Sequence, residues 1–159
     1  IFGSDDRVLE QTRSDWTRIE RVLRRVTDQV EWGVRLSVDE RRQSKSSKAG
    51  RAASGIDYLR AKRRIHAAAA EQARDHRRHV TATLRALSAV ATDARPREIA
   101  NASGDKRRLL MDAAFLVPRR RAVRFRTTVK RHARELARSG YQVQLTGPWP
   151  PYSFVEDRT

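Results

Sequence analysis

Apolar residues recur in this chain with two periods, and the switches between them mark out its elements. In residues 5–30, Leu9, Trp16, Ile19, Leu23, Val26 and Val30 stand three, four or seven apart, on one face of an amphipathic helix. Ser4 can cap this helix, and Asp5 and Asp6 suit the positive end of its dipole. The period then drops to two. Trp32, Val34, Leu36 and Val38 alternate with Glu31, Gly33, Arg35 and Ser37, which predicts a strand with one buried face. Residues 40–54 hold no period and are rich in Ser, Lys and Gly, so they read as a polar, mobile loop open to proteolysis.

A second helical stripe starts at Ser54 and runs through Tyr58, Ile65, Ala69, Ala73, His76, Val80, Leu84, Leu87 and Val90 or Ala91. Continued to Thr92, it would be about 57 Å long at ~1.5 Å per residue. That exceeds the width of a small domain, so the helix must overhang its sheet or break; Pro96 ends it at the latest. Residues 108–117 carry the run Ala113, Ala114, Phe115, Leu116, Val117, which suits a central strand covered on both faces, with a short buried helix as the alternative. Pro118 stops it. A third helix follows over 119–139, with Ala122, Phe125, Val129, Ala133 and Leu136 as its apolar face and Gly140 at the position after its end. Tyr141, Val143 and Leu145 then alternate with Gln142 and Gln144 in a last strand. Helices interleaved with three strands predict a small α+β sandwich, helices on one face of the sheet, with room for another strand from upstream or from a partner.

Composition narrows the function classes. The 159 residues are one domain's worth, and 38% apolar content is low for a globular chain but too high for a disordered one. Having no cysteine, the chain can form no disulfide framework, thiolate zinc site or cysteine nucleophile. No run approaches the ~18 apolar residues of a membrane span, and no signal-peptide pattern opens the chain, so it reads as soluble and intracellular. It opens on Ile1 rather than Met, which points to sequence upstream.

Charge changes the picture more. Lys+Arg number 35 against 19 Asp+Glu, a net charge of +16 that suggests nucleic acid or another acidic partner. Thirty of the basic residues are arginine, a bias that a GC-rich genome also produces. The excess is uneven: +3 over residues 1–54, +5 over 55–104 and +8 over 105–159. The third helix holds most of the last share. Arg119, Arg120, Arg121, Arg124, Arg126, Lys130, Arg131, Arg134 and Arg138 face a single acid, Glu135. Two readings stand: a cationic docking face, with Arg120, Arg124, Arg131 and Arg134 as its candidates, or a solvated arginine-rich surface. No stacking aromatics are interleaved with these residues, which counts against single-stranded nucleic acid. A nucleic-acid-binding module over 119–138 is the alternative function.

The search for catalysis ends quickly. There is no Gly-x-Ser-x-Gly elbow, no phosphate-binding glycine loop and no pair of carboxylates placed for acid–base work. His76 and His79 could share a metal beside Asp75, but no further ligand supports them. The bland reading packs His76 along the stripe and leaves His79 solvated. Asp112, inside an apolar run, reads as the acceptor of a structural hydrogen bond. The expectation is no catalytic residue, no metal, no cofactor and no small-molecule substrate.

The closing stretch Gly147-Pro148-Trp149-Pro150-Pro151-Tyr152-Ser153-Phe154 is stiff, because three prolines fix φ and remove donors. The Trp149–Pro150 bond is of the kind that can be cis. Trp149, Tyr152 and Phe154 either plug the sheet edge or anchor a partner chain, and spacing does not decide between these.

Leu145-Thr146 followed by this stretch resembles the signature of the gas vesicle GvpL/GvpF family. Three other blocks agree in order and spacing: Val30-Glu31-Trp32-Gly33-Val34-Arg35, Ser54-Gly55-Ile56-Asp57-Tyr58-Leu59 with Arg63-Arg64, and Ala113-Ala114-Phe115-Leu116-Val117-Pro118-Arg119. The resemblance covers nearly the whole chain. It implies a ferredoxin-like α+β domain over 31–159 with added helices, and a linker helix over 1–30 that follows a further amino-terminal domain. It also implies a non-enzymatic accessory role in forming gas vesicles, at the vesicle in the cytoplasm. The expected partners are the vesicle shell protein and other accessory proteins, with no membrane and with self-association left open. Trp149, Pro150, Pro151, Tyr152 and Phe154, with the four arginines, are the expected contact residues.

Overall fold

The computed structural model describes residues 5–39, 55–99 and 107–155. The expected loop over 40–54 and the cap at Ser4 lie outside these residues. In chain order the elements are α1 (Asp5–Val26), β1 (Gln29–Val38), α2 (Gly55–Ser88), β2 (Asp93–Pro96), β3 (Arg108–Pro118), a 3-10 turn (Arg119–Arg121), α3 (Ala122–Ala137) and β4 (Tyr141–Trp149). A last 3-10 turn spans Tyr152–Phe154. The strands form one sheet in the order β2-β3-β1-β4, every neighbour antiparallel. From β1 onward this is the split βαβ arrangement of ferredoxin-like α+β domains.

Alternation sets the core. Trp32, Val34 and Leu36 of β1 stand opposite Phe115, Ala113 and Met111 of β3, and all six turn to the helix side. There α3 contributes Phe125, Val129 and Leu136, and the end of α2 contributes Leu87. Phe125 packs on Phe115 with ring centroids 5.4 Å apart and on Trp32 at 6.3 Å. Burying side chains of this size supplies up to about 3 kcal/mol each. Gly140 takes φ +81°, the left-handed conformation that ends α3.

Four details depart from the sequence reading. The sheet owns a fourth strand, β2, which the search for alternation missed because Asp93-Ala94-Arg95-Pro96 has none. It is defined by pairing with β3, and flanking bonds from Thr92 N–H to Leu116 O (2.7 Å) and Arg97 N–H to Asp112 O (2.9 Å) hold it. The long helix stops at Ser88 rather than Thr92, and it overhangs: Ile56, Tyr58, Leu59 and Ile65 all remain exposed. On α1, Leu9, Trp16 and Leu23 are exposed as well, while Val26 packs against the domain. The third departure is that β1 is covered on both faces over Val30–Val34, so Glu31, expected on an open face, is 3% exposed. Finally, β4 runs on through Gly147 and Pro148 to Trp149, with a bulge where Glu31 pairs Trp149 and Gly33 pairs Thr146. Among the described residues no helix is long and apolar enough to cross a membrane.

Candidate functional site

The tail closes the second face of the sheet. Odd-numbered residues of β1 and even-numbered residues of β3 point away from the helices, which sets Glu31, Gly33 and Arg35 beside Asp112, Ala114 and Leu116. Beyond β4 the chain turns at Pro150 and Pro151 and lies back on this face. Tyr152 N–H donates to Pro150 O at 2.8 Å, and Phe154 N–H to Pro151 O at 3.0 Å. Phe154 is fully buried against Ala114, Leu116 and Val26. The Arg95 guanidinium sits 5.1 Å from the centre of its ring.

Polar groups fix the same segment. Ser153 donates to the Glu31 carboxylate twice, through N–H at 2.9 Å and Oγ at 2.8 Å. Arg97 Nη2 reaches Glu31 Oε1 at 2.5 Å, and Arg95 Nη1 donates to Ser153 O at 2.6 Å. Arg25, at the end of α1, donates to Phe154 O at 2.7 Å. A buried carboxylate is tolerable only when paired in this manner. Asp112 completes the face by accepting from Arg35 Nε at 2.8 Å. These bonds tie α1, β1, β2 and the tail into one strap over the sheet.

The strap sorts the tail's aromatic residues by position. Phe154 is sealed inside, whereas Trp149 is 56% and Tyr152 72% exposed. Pro150 is exposed and Pro151 half-buried. Beside Trp149 runs a groove of about 440 Å³ lined by Val26, Asp28, Gln29, Val30, Arg119, Pro148, Trp149, Pro150 and Pro151. It adjoins a second hollow of about 550 Å³, sharing Asp28, Gln29 and Arg119 and adding Arg120 and Arg121. The turn into β1 shapes both. Asp28 adopts φ +56°, which its short polar side chain tolerates, and its carbonyl accepts from Arg119 N–H at 2.9 Å. Of the basic candidates, Arg120 thus lies next to the tail groove. Arg131 and Arg134 lie further along α3, lining a separate hollow with Lys130 and Arg138, and Arg124 is exposed between.

The cis peptide of the tail is Gly147–Pro148, not Trp149–Pro150. Gly147 itself takes φ +112°, and a Cβ there would stand 2.7 Å from Glu31 O. Gly147→Ala should therefore cost about 1–3 kcal/mol of stability. Urea denaturation reads this, and an unchanged midpoint would show that the bulge can relax.

The histidine pair has a structural setting. His76 is buried with Nδ1 2.9 Å from the Tyr141 hydroxyl, and the His79 ring lies 4.6 Å from the Tyr141 ring. Among the described residues no group of three or more His, Cys, Asp or Glu could hold a metal ion. Sequence reasoning missed Glu31 and Arg97, the polar centre of the strap. The one available signal was an acid at a β1 position beside an apolar strand.

Fold and site together define a ferredoxin-like α+β domain whose carboxy-terminal tail is strapped across the open face of the sheet. Comparison with known proteins gives the family. Residues 1–156 match the family described as gas vesicle synthesis protein GvpL/GvpF, and the chain belongs to it. Gas vesicle protein L of Streptomyces sp. (strain CB03234) is 34% identical over 147 residues, covering 87% of this chain and 53% of that protein. The chain thus spans about half the length of this curated relative. Two crystal structures share the fold. GvpF from Anabaena sp. PCC7120 superposes with a TM-score of 0.67 at 11% identity, over 92% of this chain and 59% of that one. GvpF from Microcystis aeruginosa gives 0.63 at 13% identity, over 93% and 63%.

Proposed function

We propose that this chain serves gas vesicle formation as a non-enzymatic accessory protein, docking the vesicle shell protein or another assembly protein through its tail. Membership of the GvpL/GvpF family supports the process. One observation carries the site: Trp149 and Tyr152 hold large rings in solvent on a backbone that Phe154 and Glu31 pin down. Rings presented rigidly lose little entropy on binding, and such residues are the usual energetic centres of interfaces. The adjoining groove offers room for a partner's side chain, and Arg120, Arg124, Arg131 and Arg134 extend the surface toward acidic groups. In this reading the protein works at the vesicle, inside the cell.

The test uses the Trp149→Ala, Tyr152→Ala double variant. Because both rings are exposed, the fold should persist, with a thermal midpoint close to that of the parent. Binding to purified shell and accessory proteins should weaken by roughly thirtyfold or more, the scale of a lost interface centre. Unaltered binding across all of them, by a folded variant, would remove the tail from the interface.

A further inference from the structure

We propose that the free edge of β4 binds an extended segment of an acidic protein by strand addition. It involves the first part of β4, ahead of Trp149 and Tyr152 in the chain. The order β2-β3-β1-β4 leaves one side of β4 without a strand among the described residues.

Pairing parity shows which backbone groups face that side. Asp39 N–H donates to Gly140 O at 3.5 Å, one step beyond the Val38–Tyr141 pair. Bonded and non-bonded pairs alternate in an antiparallel ladder. Ser37–Gln142, Arg35–Gln144 and Gly33–Thr146 are therefore the bonded pairs. The far side of β1 agrees. Arg97 N–H donates to Asp112 O, which turns even residues of β3 toward β2 and leaves odd ones to bond the even residues of β1. Val143 and Leu145 consequently direct their N–H and C=O groups out to the open edge, a template for another strand.

The two edges of the sheet are built differently. On the other side, β2 has only four residues and ends in proline, followed by Arg97, features that blunt an edge. By contrast β4 has nine residues and no charge, and its proline, Pro148, comes only after the run Tyr141–Gly147. It lies within 17 consecutive uncharged residues, Ser139 to Val155, of a chain that is 34% charged. No lysine or arginine on β4 itself keeps a strand away.

Charge selects the occupant. The helix packed on β4 is α3, and residues 119–138 hold nine basic groups to one acid. A second copy pairing through β4 would bring an equally basic helix to the same edge, an unfavourable juxtaposition. A strand flanked by carboxylates is attracted instead.

The probe is a capped octapeptide alternating valine and glutamate, with a lysine-for-glutamate version as its control. Titrated into the isotope-labelled chain, the glutamate peptide should slow amide exchange at Val143 and Leu145 by roughly tenfold or more, and the lysine peptide should bind at least about tenfold more weakly. Val143→Pro removes one outward N–H and should weaken binding, whereas Val143→Ala, which trims the same side chain, should not. The exchange map is taken on the unaltered chain, so it decides the matter even if Val143→Pro misfolds. Equal binding of the two peptides, or no protection at these two amides, overturns the proposal. Self-association that protects the same amides without peptide also overturns it, in favour of a second copy.

Discussion

Phe154→Ala should be the most damaging single substitution in the tail, lowering unfolding stability by about 3–5 kcal/mol. The ring is fully buried between Ala114, Leu116 and Val26, and its removal leaves a cavity that two β3 side chains and a helix end cannot collapse into. The Arg95 guanidinium loses its aromatic partner as well, worth about a further 0.5–1 kcal/mol. For a domain of this size the thermal midpoint should fall by roughly 10 °C. Tyr152→Ala, two residues away and 72% exposed, is the internal control and should stay within about 0.5 kcal/mol of the parent. If calorimetry found the two variants equally mild, Phe154 would not be the residue that seats the tail.

Glu31→Ala should cost somewhat less, about 2–4 kcal/mol, for a different reason. Its carboxylate is 4% exposed and answers three donors: Arg97, Ser153 N–H and Ser153 Oγ. Removing it leaves the half-exposed Arg97 guanidinium one partner short and the half-buried Ser153 N–H without its acceptor. Glu31→Gln keeps the shape and one acceptor, so it should fall between the parent and alanine. A double-mutant cycle with Arg97→Met separates the pair from its surroundings, and a coupling of at least about 1 kcal/mol is expected by urea denaturation. Strict additivity would mean that the pair contributes no more than two unrelated polar contacts.

These two residues also mark where sequence reasoning succeeded and where it stopped. Period two in Trp32–Val38 and the run Ala113–Val117 placed the central strands, because one face of each must be apolar to lie under helices. The stripe of Phe125, Val129 and Leu136 placed α3 for the same reason, and Gly140 marked its end. The short strand Asp93–Pro96 was hidden because it owes its form to Leu116 and Asp112, far along the chain, rather than to its own residues. Glu31 was hidden more deeply. Its partners lie 66 and 122 residues away, and no local period can reveal that a tail will fold back over a face that looks solvent-exposed. The tail's composition singled out the segment, yet only its backbone path separates Phe154, turned inward, from Trp149 and Tyr152, turned outward. The basic residues read as one helix face, whereas the structure sets Arg119, Arg120 and Arg121 at one hollow and Lys130, Arg131, Arg134 and Arg138 at another, with Arg124 and Arg126 exposed between them.

The strand order carries a kinetic consequence. The central strand β1 is bounded by β3 and β4, whose pairing residues lie between 70 and 118 positions later, with Val38 paired to Arg108 and Glu31 to Trp149. Local contacts can form the helices early, but the sheet can close only after long loops have been ordered. During synthesis β1 therefore emerges well before either neighbour, with Trp32, Val34 and Leu36 uncovered. The last seal is the tail itself. Completion of this fold and display of Trp149 and Tyr152 thus become the same event, so a chain cut before the tail cannot present the surface proposed for docking.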